Sequence, residues 1–122
     1  MGKILIRIFI FGALMFVGVS LQAQNDYYVK QAESYQREVE YYTNQMQRHE
    51  REVEYYTNEA KRNYNDAQYY FRQKKYDQAK SYYQKMRDNM SRANDYSKRA
   101  NDARDNINLY ARKIENAIQN IK

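Results

Sequence analysis

Arg37-Glu38-Val39-Glu40-Tyr41-Tyr42-Thr43-Asn44 returns unchanged as Arg51-Glu52-Val53-Glu54-Tyr55-Tyr56-Thr57-Asn58. The offset is fourteen residues, two heptads, and a heptad is the repeat of a helix that packs along one seam against another helix. Tyrosine pairs carry the same beat outward, at Tyr27/Tyr28, Tyr41/Tyr42, Tyr55/Tyr56 and Tyr69/Tyr70. The next pair, Tyr82/Tyr83, arrives thirteen residues later, so the register slips between Gln73 and Asp77.

On either side of the slip the seam is continuous. Spacings of four and three alternate from Tyr28 through Ala32, Tyr35, Val39, Tyr42, Met46 and His49 to Ala67 and Tyr70. A second series runs from Ala79 through Tyr82, Met86, Asn89, Ala93 and Tyr96 to Ala117 and Ile121. Such spacing predicts two long helices. Lys74 and Lys75 suit the negative end of the first, and Asp77 is placed to cap the second. The turn between them lacks glycine.

The first 23 residues are a signal peptide by pattern: Lys3 and Arg7 form a positive start, Ile8 to Val19 is apolar, and Leu21-Gln22-Ala23 offers a cleavage site after Ala23. The apolar run is short for a membrane span, and no cysteine follows it to take a lipid. The expected location is the periplasm or the extracellular medium. Removing Lys3 and Arg7 lowers the net charge of +6 to +4. All three glycines (Gly2, Gly12, Gly18) fall in this segment, and the rest of the chain also lacks proline, cysteine and tryptophan. A chain free of helix breakers is helical by propensity, and disulfides cannot staple it. Residues 24–73 carry 7 basic and 9 acidic side chains and residues 74–122 carry 12 and 6, so the halves attract each other.

The expected fold is all-α: a long antiparallel two-helix hairpin of coiled-coil type, self-associating into a helical bundle. Its parts are a signal peptide at 1–23, a first helix at 24–73, a turn at 74–76 and a second helix at 77–122. In an antiparallel pair, facing residues have numbers of constant sum, and 149 brings the two seams together. Tyr56 then meets Ala93, Ala67 meets Tyr82, Tyr70 meets Ala79 and Met46 meets Ala103, large against small. Asn63 and Asn89 fall in adjacent layers as a polar pair that sets the register. One flank, with sum 151, opposes Glu38 to Lys113, Glu52 to Arg99, Glu59 to Arg92 and Asp66 to Lys85. The other, with sum 147, opposes Val29 to Ile118, Thr57 to Met90, Tyr64 to Tyr83 and Phe71 to Tyr76.

Around the turn, Ala67-x-x-Tyr70, Tyr76-Asp77-x-Ala79 and Tyr83 resemble the turn of a tetratricopeptide repeat over about 24 residues. Asn63 and Asp66 stand where that motif has its tryptophan-like and leucine positions, and no second repeat follows. The resemblance implies a tight helix-turn-helix, and peptide binding is not carried over from it.

The chain holds one histidine, no cysteine and no glycine-rich loop, which argues against an enzyme and against a bound cofactor or metal. His49 sits in the seam opposite Ala100 as a core residue. Asp88, Asp95 and Asp102 are about 10 Å apart along a helix, too far to share a metal. Two surfaces remain as candidates for binding. Tyr64, Phe71, Tyr76, Tyr83 and Met90 form an apolar patch beside the turn, and Tyr27, Tyr41, Tyr55 and Tyr69 form a row interleaved with Arg48 and Arg62. The row is either rings laid over the helix surface or a second interface.

The expected function is that of an exported, non-enzymatic interaction protein, an envelope scaffold or chaperone-like holder, with a homo-oligomeric state and an envelope protein as partner. Basic charge, export and long helical arms are similar to the periplasmic holdase chaperones. The alternative is a surface-active helical protein that binds membranes or anionic envelope polymers. Nucleic acid is not expected, because the basic charge is opposed by the first helix.

Overall fold

The computed structural model describes residues 19–122. Most of the expected signal peptide, residues 1–18, lies outside the described residues. Two helices account for nearly all the rest: α1 (Val19–Arg72) and α2 (Tyr76–Gln119). They pack against each other, and no strand occurs among the described residues. None of the described helices is long and apolar enough to cross a membrane.

The contacts divide into two compact units. The outer one pairs the first part of α1, to Thr43, with residues 105–122; the inner one is the hairpin 44–104, with the turn at its tip. The core of the outer unit is Ala32, Ala117 and Ile121, flanked by Tyr28, Val29, Ile114 and Ile118. That of the inner unit is alanine: Ala60, Ala67, Ala79, Ala93, Ala100 and Ala103 are all buried. Each of these buried residues lies on the predicted seams, Val29 and Ile118 come from the flank beside them, and the seam tyrosines stand half-buried. A methyl group removes little area from water, on the order of 1 kcal/mol at ~25 cal/mol per Å². Alanine lets the backbones approach, and the tyrosines must supply the remaining apolar contact.

The turn solves its lack of glycine by holding Lys74 in the left-handed region, at φ 61°. The Lys74 N–H donates to the Phe71 carbonyl at 3.0 Å and the Lys75 N–H to the Tyr70 carbonyl at 2.9 Å, which is the Schellman closure of a helix C-terminus. The Lys75 carbonyl then accepts from the Ala79 N–H at 3.0 Å and opens α2. Asp77 therefore does not cap. It lies inside the first turn, where its charge complements the helix dipole.

Candidate functional site

One aromatic module recurs three times, once in the outer unit and twice in the inner, each time on the side of the helix pair where the sequence opposes acid to base. In each, a half-buried tyrosine of α1 stacks on a half-buried tyrosine of α2: Tyr42 on Tyr110 in the outer unit, at 6.0 Å and 16°, and Tyr56 on Tyr96 and Tyr70 on Tyr82 in the inner unit, at 5.8 Å and 9° and at 5.4 Å and 13°. The α1 ring is met edge-on by its sequence neighbour, Tyr41, Tyr55 or Tyr69, with centroids 5.1 to 5.2 Å apart. The α2 ring carries a cation three residues on: Lys113 at 5.1 Å from Tyr110, Arg99 at 4.9 Å from Tyr96, and Lys85 at 4.7 Å from Tyr82. The fourteen-residue beat of α1 is thus matched in α2 by Tyr82, Tyr96 and Tyr110. That second beat is visible in the sequence but carries meaning only once the stacking is seen.

These modules correct the expected ion pairs. Glu38–Lys113, Glu52–Arg99, Glu59–Arg92 and Asp66–Lys85 do not close as salt bridges, because each base lies over a ring instead. Arg92 reaches Tyr56 across the helix pair at 5.7 Å, and Lys113 also reaches Tyr35 at 5.6 Å. A half-buried ring face is fixed and partly desolvated, whereas a flanking carboxylate must give up side-chain freedom and water to pair. Glu59 pairs within its own helix, with Arg62 at 3.0 Å. On the opposite flank Arg104 bonds to Glu50 across the inner unit. Asn63 and Asn89 are half-buried and make no hydrogen bond to each other, so they are not the expected polar lock.

The geometry also accounts for the exposed tyrosine row. Tyr27 and Tyr41 in the outer unit and Tyr55 and Tyr69 in the inner unit are all more than half exposed, each resting on its seam neighbour. Tyr27 accepts a hydrogen bond at its hydroxyl from the Gln31 amide at 3.3 Å. Their rings are held in place with one side free.

The second predicted surface lies on the other flank of the inner unit. Tyr64 meets Tyr83 edge-on at 6.4 Å, and Phe71 meets Tyr76 edge-on at 5.4 Å. With Met90 these side chains are exposed, from 37% at Tyr83 to 57% at Phe71, which is high for large apolar groups in contact with one another. An open groove of about 300 Å³ runs along this flank, lined by Thr57, Ala60, Lys61, Tyr64, Met86 and Met90. Met86 also lines a neighbouring depression of about 420 Å³ with Lys80, Tyr83, Gln84 and Arg87. The floor is apolar and the rim is cationic, from Lys61 on α1 to Lys80 and Arg87 on α2.

Against protein-family models, curated proteins and solved structures the chain gives no match.

His49 lies in the seam with its ring 5.9 Å from that of Tyr96. Its Nδ1 is buried without a hydrogen-bond partner. Two residues escaped the sequence reading. Asn25 is fully buried and its side chain binds the backbone of Lys122; carrying the seam spacing one step upstream of Tyr28 would have found it. Leu109 is an exposed apolar side chain of α2 that no spacing argument singles out.

Proposed function

We propose that the protein is an exported, non-enzymatic interaction protein that holds segments of other envelope or secreted polypeptides, acting in the periplasm or outside the cell. The observation that carries this reading is the groove of the inner unit, with Tyr64, Tyr83, Met86 and Met90 around an apolar floor. Methionine is flexible and polarizable enough to fit varied apolar partners, and tyrosine is favoured where partners bind, as a holder of many clients requires. The rim of Lys61, Lys80 and Arg87 favours a segment whose aromatic or aliphatic residues are interspersed with acidic ones. Export is supported by the residues at 1–23, from Lys3 and Arg7 to Ala23.

The test is fluorescence anisotropy with a labelled peptide alternating Phe and Glu, against the same peptide with Lys in place of Glu. The acidic peptide should bind more tightly, and Tyr83→Glu or Met90→Glu should weaken it by about tenfold, the effect of losing roughly 1.4 kcal/mol. Tyr55→Glu, on the other flank, should leave it unchanged. Equal binding of both peptides, or equal loss in all three variants, defeats the proposal. Binding to anionic lipid vesicles without binding to either peptide would transfer support to the surface-active alternative.

A further inference from the structure

On the flank of the aromatic modules, the facing acids and bases of the inner unit form no ion pair across the helices, and Arg62 pairs along α1 with Glu59 at 3.0 Å. On α1, Glu52 and Asp66 hold no ion pair, while the bases opposite them, Arg99 and Lys85, are turned onto the rings of Tyr96 and Tyr82. One column further out, the two helices are again opposite in character. Arg62 on α1 stands level with Asp88 on α2, Tyr55 with Asp95, and Tyr69 with Ser81. All six are exposed.

We infer that this flank of the inner unit is the surface on which a second copy of the chain docks, through a two-fold axis parallel to the helices. That axis lays α1 of one copy along α2 of the other without changing level. The acidic column then meets the basic column of the partner copy, Arg62 meets Asp88, the Tyr55 hydroxyl meets the Asp95 carboxylate, and the Tyr69 hydroxyl meets Ser81. Every level is complementary. A two-fold axis across the helices would instead lay acid column on acid column, at a cost. The groove flank fails the same test: stacked on itself about the parallel axis, it sets Lys61 against Arg87 of the partner copy and Gln68 against Lys80. Because Tyr55 and Tyr69 are already held edge-on by Tyr56 and Tyr70, docking orders few side chains. A dimer docked in this way leaves the groove open, whatever the groove holds.

Sedimentation equilibrium of the purified protein, with circular dichroism to check helicity, tests it. The wild type should be a dimer whose dissociation constant rises with salt. Asp88→Arg should raise that constant about tenfold or more, and adding Arg62→Glu should restore most of the affinity, while Tyr83→Glu leaves it unchanged. The chain has no cysteine, so Tyr55→Cys with Asp95→Cys gives a clean probe. A short bis-maleimide should join two copies through these sites with high yield. A monomer at all concentrations, a dimer insensitive to Asp88→Arg, or one dissociated by Tyr83→Glu overturns the inference. If Asp88→Arg loses helicity, the cysteine pair decides alone, and monomeric product is then the negative result.

Discussion

Asn25 grips Lys122 at both backbone groups: its Nδ2 donates to the Lys122 backbone oxygen at 3.2 Å, and its Oδ1 accepts from the Lys122 N–H at 2.9 Å. The two residues are 97 apart in sequence, and Asn25 is fully buried. Beyond Gln119 the chain turns through N–H bonds from Asn120 to Ala117 and from Ile121 to Ile118. This grip therefore ties the end of α2 to α1 and seats Ile121 in the outer core. Asn25→Ala should cost about 1–2 kcal/mol, the net worth of two part-buried hydrogen bonds. Asn25→Asp should cost as much, since a carboxylate cannot donate to the backbone oxygen. Denaturant unfolding measures the loss, and amide exchange should show it concentrated at residues 117–122.

A lysine in the left-handed region is an unrelieved cost at the turn. Lys74→Gly should stabilise the protein by about 0.5–1 kcal/mol, the steric relief less the added freedom of the unfolded chain. Lys74→Asn should gain less, and Lys74→Val should destabilise. Urea midpoints of the three variants give the order directly; a glycine variant weaker than the wild type would mean that this Schellman turn does not form.

The ring contacts of the bases make a quantitative claim about coupling. In double-mutant cycles, Arg99 should couple to Tyr96 by about 0.5–1 kcal/mol, using Arg99→Gln and Tyr96→Leu, and to Glu52 by less. Tyr96→Phe should keep the coupling, because the ring face remains. A larger coupling to Glu52 would restore the ion pair as the favoured contact.

His49 sits in the seam at the expense of a buried, unbonded Nδ1. His49→Leu keeps an apolar body of similar size and removes that atom, so it should raise stability by about 1–2 kcal/mol. Thermal unfolding would show this as a higher midpoint, and a fall would point to the Tyr96 contact as the more valuable partner.

The sequence by itself determined the two helices, where the chain turns, which residues face inward, and which layers meet. These follow from spacing: a 3,4 alternation of apolar side chains leaves one face to bury, and a one-residue slip marks where that face is lost and regained. Among the described residues the nine buried apolar ones all lie on the predicted seams, and the two exposed tyrosine surfaces were legible as residues off the seam.

Only the tertiary structure decided what the flanks do. Spacing places Arg99 beside both Glu52 and the ring of Tyr96, and cannot choose between them, because the choice depends on ring orientation, burial and the freedom each side chain gives up. The same holds for the stacked tyrosines, whose planes are set by contacts between helices. The left-handed Lys74 and the grip of Asn25 on Lys122 belong here as well. Each depends on where one backbone group stands in space, and a heptad pattern records which way a side chain faces without recording what it meets there.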